Sequence, residues 1–509
     1  MTTTAGPVPR QAVGLRSARG PVLLAVMLSM SLVALDSTII ATAVPSVVAD
    51  LGGFGQFPWL FSVYLLAQAV TVPLYGKYAD VVGRRPVMLL GIGVFLLGSV
   101  LCGVAWSMPA LIVARAVQGV GAGAVQPMSM TIVGDLYTVE ERARVQGYVA
   151  SVWAIASVVG PTLGGVFSEY LTWRWIFFVN LPLGALVAVM LMRHLTEQVV
   201  RREHRIDFAG ATLLTGGCAL LIFGLLESGV AWPWGSMTSL LVLGVGLAAI
   251  AGFVAVERVA AEPVLPLWVF RRRILAAGSL VALVVGALMI GLSSYVPTYV
   301  QGVLGTGPLV AGLALACLTI GWPLAATFSG RLYMRIGFRD TALIGSGVIV
   351  VGGTLLSRLS AASPVWAVAV ACFVLGVGLG LASSPTLVAV QSVVGWDRRG
   401  VVTATHMFSR SIGSAVGVAV LGAVANATLA DRFAHPPAGL RGHLPRGVDA
   451  TSRVLTRGGR ADRTAGAGFV RHALFAASHH VFVGLLAVSV LMVVALAMMP
   501  RRTEPLVFD

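Results

Sequence analysis

Fourteen runs of about 20 mostly apolar residues follow one another along the chain, each long enough to cross a bilayer as a helix. Hydrocarbon offers no partner to a backbone N–H or C=O, so such runs satisfy themselves internally and become helices. The first six lie at roughly 21–44, 57–76, 87–105, 109–133, 145–168 and 175–194. Two more follow at roughly 207–227 and 236–256, and six at roughly 274–297, 307–330, 340–357, 364–386, 401–425 and 479–499. Only 11% of the 509 residues are charged, against about 25% in a soluble domain. That is too little to coat a soluble fold. A soluble enzyme, a disordered regulator and a secreted disulfide module are excluded, and the expected fold is an all-α integral membrane protein of 14 transmembrane helices.

The net charge is +15, but the basic residues form short groups between apolar runs. That distribution sets topology and gives no nucleic-acid face. With the N-terminus inside, the tails and the even-to-odd loops hold groups such as Arg16 and Arg19, Lys77 with Arg84 and Arg85, Arg142 and Arg144, Arg271–Arg273, Arg398 and Arg399, and Arg501 and Arg502. The short loops on the other face hold only Arg174 and Arg358. Both termini are therefore expected in the cytoplasm, with the chain multi-pass in the cell membrane. One stretch departs from the pattern. Residues 426–478 should lie outside, yet carry arginines at 432, 441, 446, 453, 457, 460, 463 and 471. They read as an extracytoplasmic loop ending in an amphipathic surface helix from Phe469 to His480, or as an inside loop that follows a miscounted span. The four cysteines (Cys102, Cys218, Cys317, Cys372) lie in apolar runs as small buried side chains.

The two halves resemble each other. Gly119, Gly121 and Gly123 recur as Gly376, Gly378 and Gly380, and Gly76 and Gly83 recur as Gly330 and Gly337. The chain divides into an N-terminal tail (1–20), a six-helix bundle (21–195), an inserted helix pair (196–260), a second six-helix bundle (261–499) and a C-terminal tail (500–509). Two parallel repeats suit a transporter that rocks about a central site.

Nothing in the sequence supplies power directly. A phosphate-binding loop needs Gly-Lys before Ser or Thr, and the one lysine, Lys77, precedes Tyr78. No cofactor and no metal are expected, and the chain is not expected to be an enzyme. Charges inside a membrane are costly and are kept for a role. Three lie well inside the spans: Asp36, Arg115 and Arg410. A buried carboxylate that meets each side in turn, with an arginine in reach, can carry a proton. Asp36 is that candidate, with Arg115 and Gln118, one turn apart in span four, as partners. A static ion pair between spans one and four is the other reading. Glu227 ends span seven at the expected water boundary, where a coupling role is open. His406 and Arg410 lie four apart on one face of span thirteen and could titrate, meet an anion or bridge helices.

At this point the residues resemble the major facilitator superfamily, in its fourteen-helix drug:proton antiporter branch. Leu35-Asp36-Ser37-Thr38-Ile39 with Pro45 resembles that branch's first-helix motif. Gly76, Asp80, Gly83, Arg84 and Arg85 match the superfamily's loop between helices two and three, and Arg115, Gln118, Gly119 and Gly121 its fourth-helix motif. Gly160, Pro161, Gly164 and Gly165 match the exporter motif of helix five, with Ala156 where a glycine is usual, and Trp173 through Pro182 carry a further signature. The resemblance implies proton-coupled efflux of small, mostly hydrophobic drugs or antibiotics by alternating access, with Asp36, Arg115 and Gln118 coupling protons and the loop and helix-five residues gating. Candidates for the substrate cavity are Tyr64, Gln68, Gln126, Trp153, Tyr295, Tyr299, Trp322, His406 and Arg410. The expected partners are small-molecule substrate, protons and the bilayer, with a monomer as the working state. Export of a lipid or siderophore on the same scaffold is the alternative.

Overall fold

The apolar runs fold into helices that reach beyond the hydrocarbon. The computed structural model describes residues 14–137, 139–195, 207–228, 231–260, 263, 265, 267–394, 396–435 and 465–501. Its helices, in chain order, are α1 (Gly20–Leu51), α2 (Trp59–Val82), α3 (Arg84–Gly103), α4 (Met108–Leu136), α5 (Val139–Tyr170), α6 (Trp175–Phe178), α7 (Asn180–His194) and α8 (Phe208–Glu227). They continue as α9 (Met237–Glu257), α10 (Trp268–Arg271), α11 (Arg273–Gly302), α12 (Pro308–Ile336), α13 (Phe338–Ser357), α14 (Val365–Ser392), α15 (Trp396–Ala434) and α16 (Ala465–Ala497). Fourteen membrane spans stand among the described residues, span six being built from α6 and α7 together. The large exposed side chains are those of a lipid-facing belt: Leu97, Val113, Phe328, Trp366 and Val494.

Glycines set how closely the helices pack, and they do so twice. A Cβ on Gly119 or Gly123 would strike α2 at Tyr64 or Gln68, and one on Gly121 would strike α3 at Phe95 and Gly91. In the second half Gly376 and Gly380 press on α12 at Leu318 and Trp322, while Gly378 presses on α13 at Ile349 and Gly345. Small residues let backbones approach where water gives no driving force. The turns between α2 and α3 and between α12 and α13 repeat as well. Gly83 (φ 103°) and Gly337 (φ 92°) occupy the left-handed region that a side chain disfavours. A third pair had no counterpart in the sequence reading. Gly160 and Gly164 of α5 lie on α1 at Thr38 and Ile39, and Gly413 and Gly417 of α15 lie on α11 at Leu283 and Ala287.

The helices α1–α7 pack together, as do α11–α16, and α8 lies against both α2 and α15. Leu66 and Val70 of α2, Cys218 and Ile222 of α8, and Ala415 and Ala419 of α15 share one apolar core. Among the described residues, hydrogen bonds between the two bundles gather at the end that holds the α1–α2 turn. Gln301 donates to the Thr42 carbonyl (3.1 Å), the Leu309 N–H to Glu169 (3.1 Å), Ser62 to the Ala415 carbonyl (3.2 Å) and Asn426 to the Gly55 carbonyl (2.9 Å). There α5 and α12 cross in contact: a Cβ on Gly165 would strike the Leu309 backbone, and one on Gly312 the Pro161 carbonyl.

Three expectations are corrected. The segment 426–478 is not all loop, because α15 continues to Ala434 and α16 begins at Ala465. Phe469–His480 is not a surface helix but the opening of α16, held by the Phe433–Phe469 ring contact, by Thr428 on His480 and by Arg471 on the Val303 carbonyl. Polar residues extend these helices past the lipid because neighbouring helices bind them. The helix that carries span five, α5, likewise starts at Val139, ahead of the expected residue 145. Most of the expected basic loop (436–464), part of the inserted segment (196–206), and residues 1–13 and 502–509 of the tails lie outside the described residues.

Candidate functional site

The helical period puts Arg115 and Gln118 of α4 on one face, a turn apart. The Gly119–Gly123 packing aims that face at α1, where Asp36 waits. Arg115 Nη1 donates to Asp36 Oδ2 at 2.7 Å and to Gln118 Oε1 at 2.6 Å. Gln118 Nε2 donates to Asp36 Oδ1 at 2.8 Å. The two charged side chains are each 1% exposed. The guanidinium also donates through Nε to the Leu60 carbonyl (3.2 Å) and lies 4.0 Å from the centre of the Tyr64 ring. Tyr64 thus serves the ion pair as a cation–π face.

Two members of this network carried no role in the sequence reading. Asn180, the first residue of α7, donates to Asp36 Oδ1 (3.2 Å) and to Ser99 Oγ (3.3 Å), and Gln118 Nε2 donates to the same hydroxyl (2.8 Å). Five helices (α1, α2, α3, α4 and α7) therefore meet in one network around the Asp36 carboxylate. Beside it a groove of about 390 Å³, lined by Leu35, Ile39, Leu163, Leu183 and Asn180 among others, puts apolar walls against the network. Breaking a buried ion pair by removing one partner costs about 3–5 kcal/mol, because the other charge stays behind. Loss of the Asp36 charge would leave Arg115 as such a cation.

The gating candidates divide between the two ends. Thr38 donates to the Ala156 carbonyl (3.1 Å) and Thr42 to the Pro161 carbonyl (3.1 Å), so alanine at position 156 leaves the α1–α5 contact intact. At the opposite end, Gly76 borders open space and Arg84 opens α3. Arg85 donates to the Met192 carbonyl of α7 (2.8 Å), a contact within the first bundle. The Asp80 side chain lies outside the described residues.

The cavity candidates scatter. Tyr64, Tyr295 and Tyr299 are fully buried. Tyr295 stands edge-on to Phe57, and Tyr299 packs on Phe482 and donates to the Ser360 carbonyl (2.7 Å). Gln126, Trp153, Trp322 and Arg410 are half-buried, and Gln68 and His406 are buried. Glu227 accepts from the Trp59 indole at 3.1 Å and so ties α8 to α2. Among the described residues no group of His, Cys, Asp and Glu could hold a metal.

Residues 26–418 match the Major Facilitator Superfamily. Multidrug resistance protein 3 of Bacillus subtilis (strain 168) is 33% identical over 428 residues, covering 84% of this chain and 83% of that protein. Multidrug transporter protein MdtP of the same organism is 34% identical over 81% of this chain and 76% of its own length. The efflux pump dotC of Dothistroma septosporum (strain NZE10 / CBS 128990) is 32% identical over 78% and 70%. Among solved structures, an inward-facing, unoccupied bacterial homologue of the human lysosomal transporter Spinster superposes with a TM-score of 0.64 at 17% identity, covering 95% of this chain and 98% of that one. The nucleoside transporter NupG superposes with a TM-score of 0.61 at 11% identity, covering 94% and 99%. These two share the fold. With its fourteen apolar spans, its doubled glycine packing and a match across most of its length, the chain belongs to the Major Facilitator Superfamily.

Proposed function

We propose that this protein is a proton-coupled exporter of small, mostly hydrophobic drugs or antibiotics, working as a monomer in the cytoplasmic membrane with both termini inside. The single observation that carries this reading is the Asp36–Arg115–Gln118 network, a buried ion pair that joins α1 and α4. The relatives named for multidrug resistance and efflux give the direction of transport and the substrate class.

In this reading the α1–α2 end faces outside and the described conformer is closed there, with the cytoplasmic end the one that opens. Asp36 is sealed by Arg115, Gln118 and Asn180 in this state. A proton arriving from outside neutralises the carboxylate once the halves have rocked, and its release inside restores the pair. Proton and substrate are coupled because each favours a different conformer. The divisions at residues 195 and 260 then separate two rocking bundles from the inserted helices.

The test is accumulation of fluorescent dyes and several antibiotics, anionic and neutral among them, in inside-out vesicles with and without an imposed proton gradient. Asp36→Asn should keep dye binding and lose gradient-driven accumulation. Accumulation that survives the change would remove Asp36 from coupling.

A further inference from the structure

The inserted helices, the apolar groove beside Asn180 and the mid-helix cation Arg410 of the second bundle all invite explanation; the cation carries the most. Arg410 lies in α15, fourteen residues from Trp396, or about 21 Å along the helix. Its guanidinium makes no hydrogen bond or ion pair with a described residue, and part of its surface stays open. One turn away, on the same face, His406 is 7% exposed, reaches the backbone of Gly278 and leaves Nδ1 without a partner. Among the described residues, the helices packed on α15 at this level, α2 included, offer no counter-ion. α11, α14 and α16 contain no acidic residue, Glu227 of α8 is held by Trp59, and Asp36 of the first bundle is held by Arg115.

A structural role fits poorly. The crossing of α15 on α11 repeats that of α5 on α1, with Gly413 and Gly417 standing for Gly160 and Gly164. In that register His406 and Arg410 replace Trp153 and Ser157, so the same packing forms without charge in the first bundle. Arg410 also sits five residues, about 7.5 Å, from Ala415, whose carbonyl joins the bundles through Ser62. It therefore lies just past the closed seam, on the side that opens to the cytoplasm in the efflux reading.

We propose that Arg410 and His406 form the recognition site for one anionic group, a carboxylate, on an otherwise apolar substrate. A guanidinium offers a planar fork of donors that matches a carboxylate with two parallel bonds. The free His406 nitrogen one turn away adds a further polar contact. The proposal rests on the efflux reading and narrows it to amphipathic organic acids.

The test uses the purified full chain in detergent and two probes, dansylglycine and its carboxamide, read by dansyl fluorescence. The wild type should bind the acid at least about ten-fold more tightly than the amide, a ratio equal to about 1.4 kcal/mol. R410Q should bind the two alike, H406A should fall between, and R410K, lacking the fork, should keep only part of the preference. Without probe, R410Q should melt no lower than the wild type, since an unpaired cation has been removed; dansylglycine should raise the melting temperature of the wild type more than that of R410Q. A wild type blind to the acid, or an R410Q protein that retains the preference, overturns the proposal. If R410Q fails to fold, R410K and H406A carry the same comparison. Phosphatidylglycerol that displaces the acid where phosphatidylcholine does not would make a lipid headgroup the anion and overturn the substrate assignment. Binding in detergent needs no gradient, so a chain that binds the acid but does not pump refutes the efflux reading alone.

Discussion

The two bundles share a backbone arrangement and differ in where they keep their charge. Tyr64, Ser99, Arg115 and Gln118 surround Asp36 in the first bundle. The glycine contacts place Leu318, Gly353, Cys372 and Leu375 at the matching positions of the second. One bundle therefore holds a saturated ion pair at its α4 and the other an apolar wall at its α14. The second bundle's cation stands on α15 instead and has no internal partner. The packing scheme itself needs neither arrangement.

Substitutions at matched positions sharpen this contrast. The largest difference is expected between Arg115→Ala and Cys372→Ala. The first leaves Asp36 buried without its cation and should cost about 3–5 kcal/mol, with loss of transport; the second trims one buried atom and should cost about 1 kcal/mol with transport kept. Thermal unfolding in detergent and vesicle uptake measure both. Next comes the crossing between the bundles. Gly312→Ala puts a methyl against the Pro161 carbonyl and should cost about 1–3 kcal/mol, favouring the conformer open at that end. Gly347→Ala, facing open space on α13, should change stability by no more than about 1 kcal/mol in the favourable direction. Spin-label distances between the ends of α5 and α12 report the shift. Asn180→Leu removes the bonds to Asp36 and Ser99 and should cost about 1 kcal/mol, seen as a lower melting temperature. Ser62→Ala, which deletes a single bond between bundles, should be smallest at about 0.5–1 kcal/mol, read by the same spin labels.

Much of this was legible in the sequence, and the reasons are physical. Hydrocarbon thickness fixes the length of an apolar run, so all fourteen spans could be counted. The fourth-helix glycines and the turn glycines at 83 and 337 recur because close backbones and positive φ tolerate little else. Asp36, Arg115 and Gln118 stood out because a charge in an apolar run is rare. Ser99 and Asn180 did not. A serine within a membrane helix usually bonds its own backbone, as Ser29 and Ser129 do here, and a lone amide carries no sign of its partner. Tyr295 and Tyr299 show a different limit: whether an aromatic faces a cavity or a core depends on helix rotation, which composition does not encode. The polar turns at the end of α15 and the start of α16 read as loop because hydropathy registers lipid and not the contacts between neighbouring helices.

The inserted α8 has a mechanical consequence. It is glued to α2 through the Trp59–Glu227 bond and to α15 through Ala415 and Ala419. Two plates joined by a strap cannot swing apart without peeling it from one of them. In the efflux reading, the side chains on its two flanks would limit how far the mouth gapes and set which plate the strap follows.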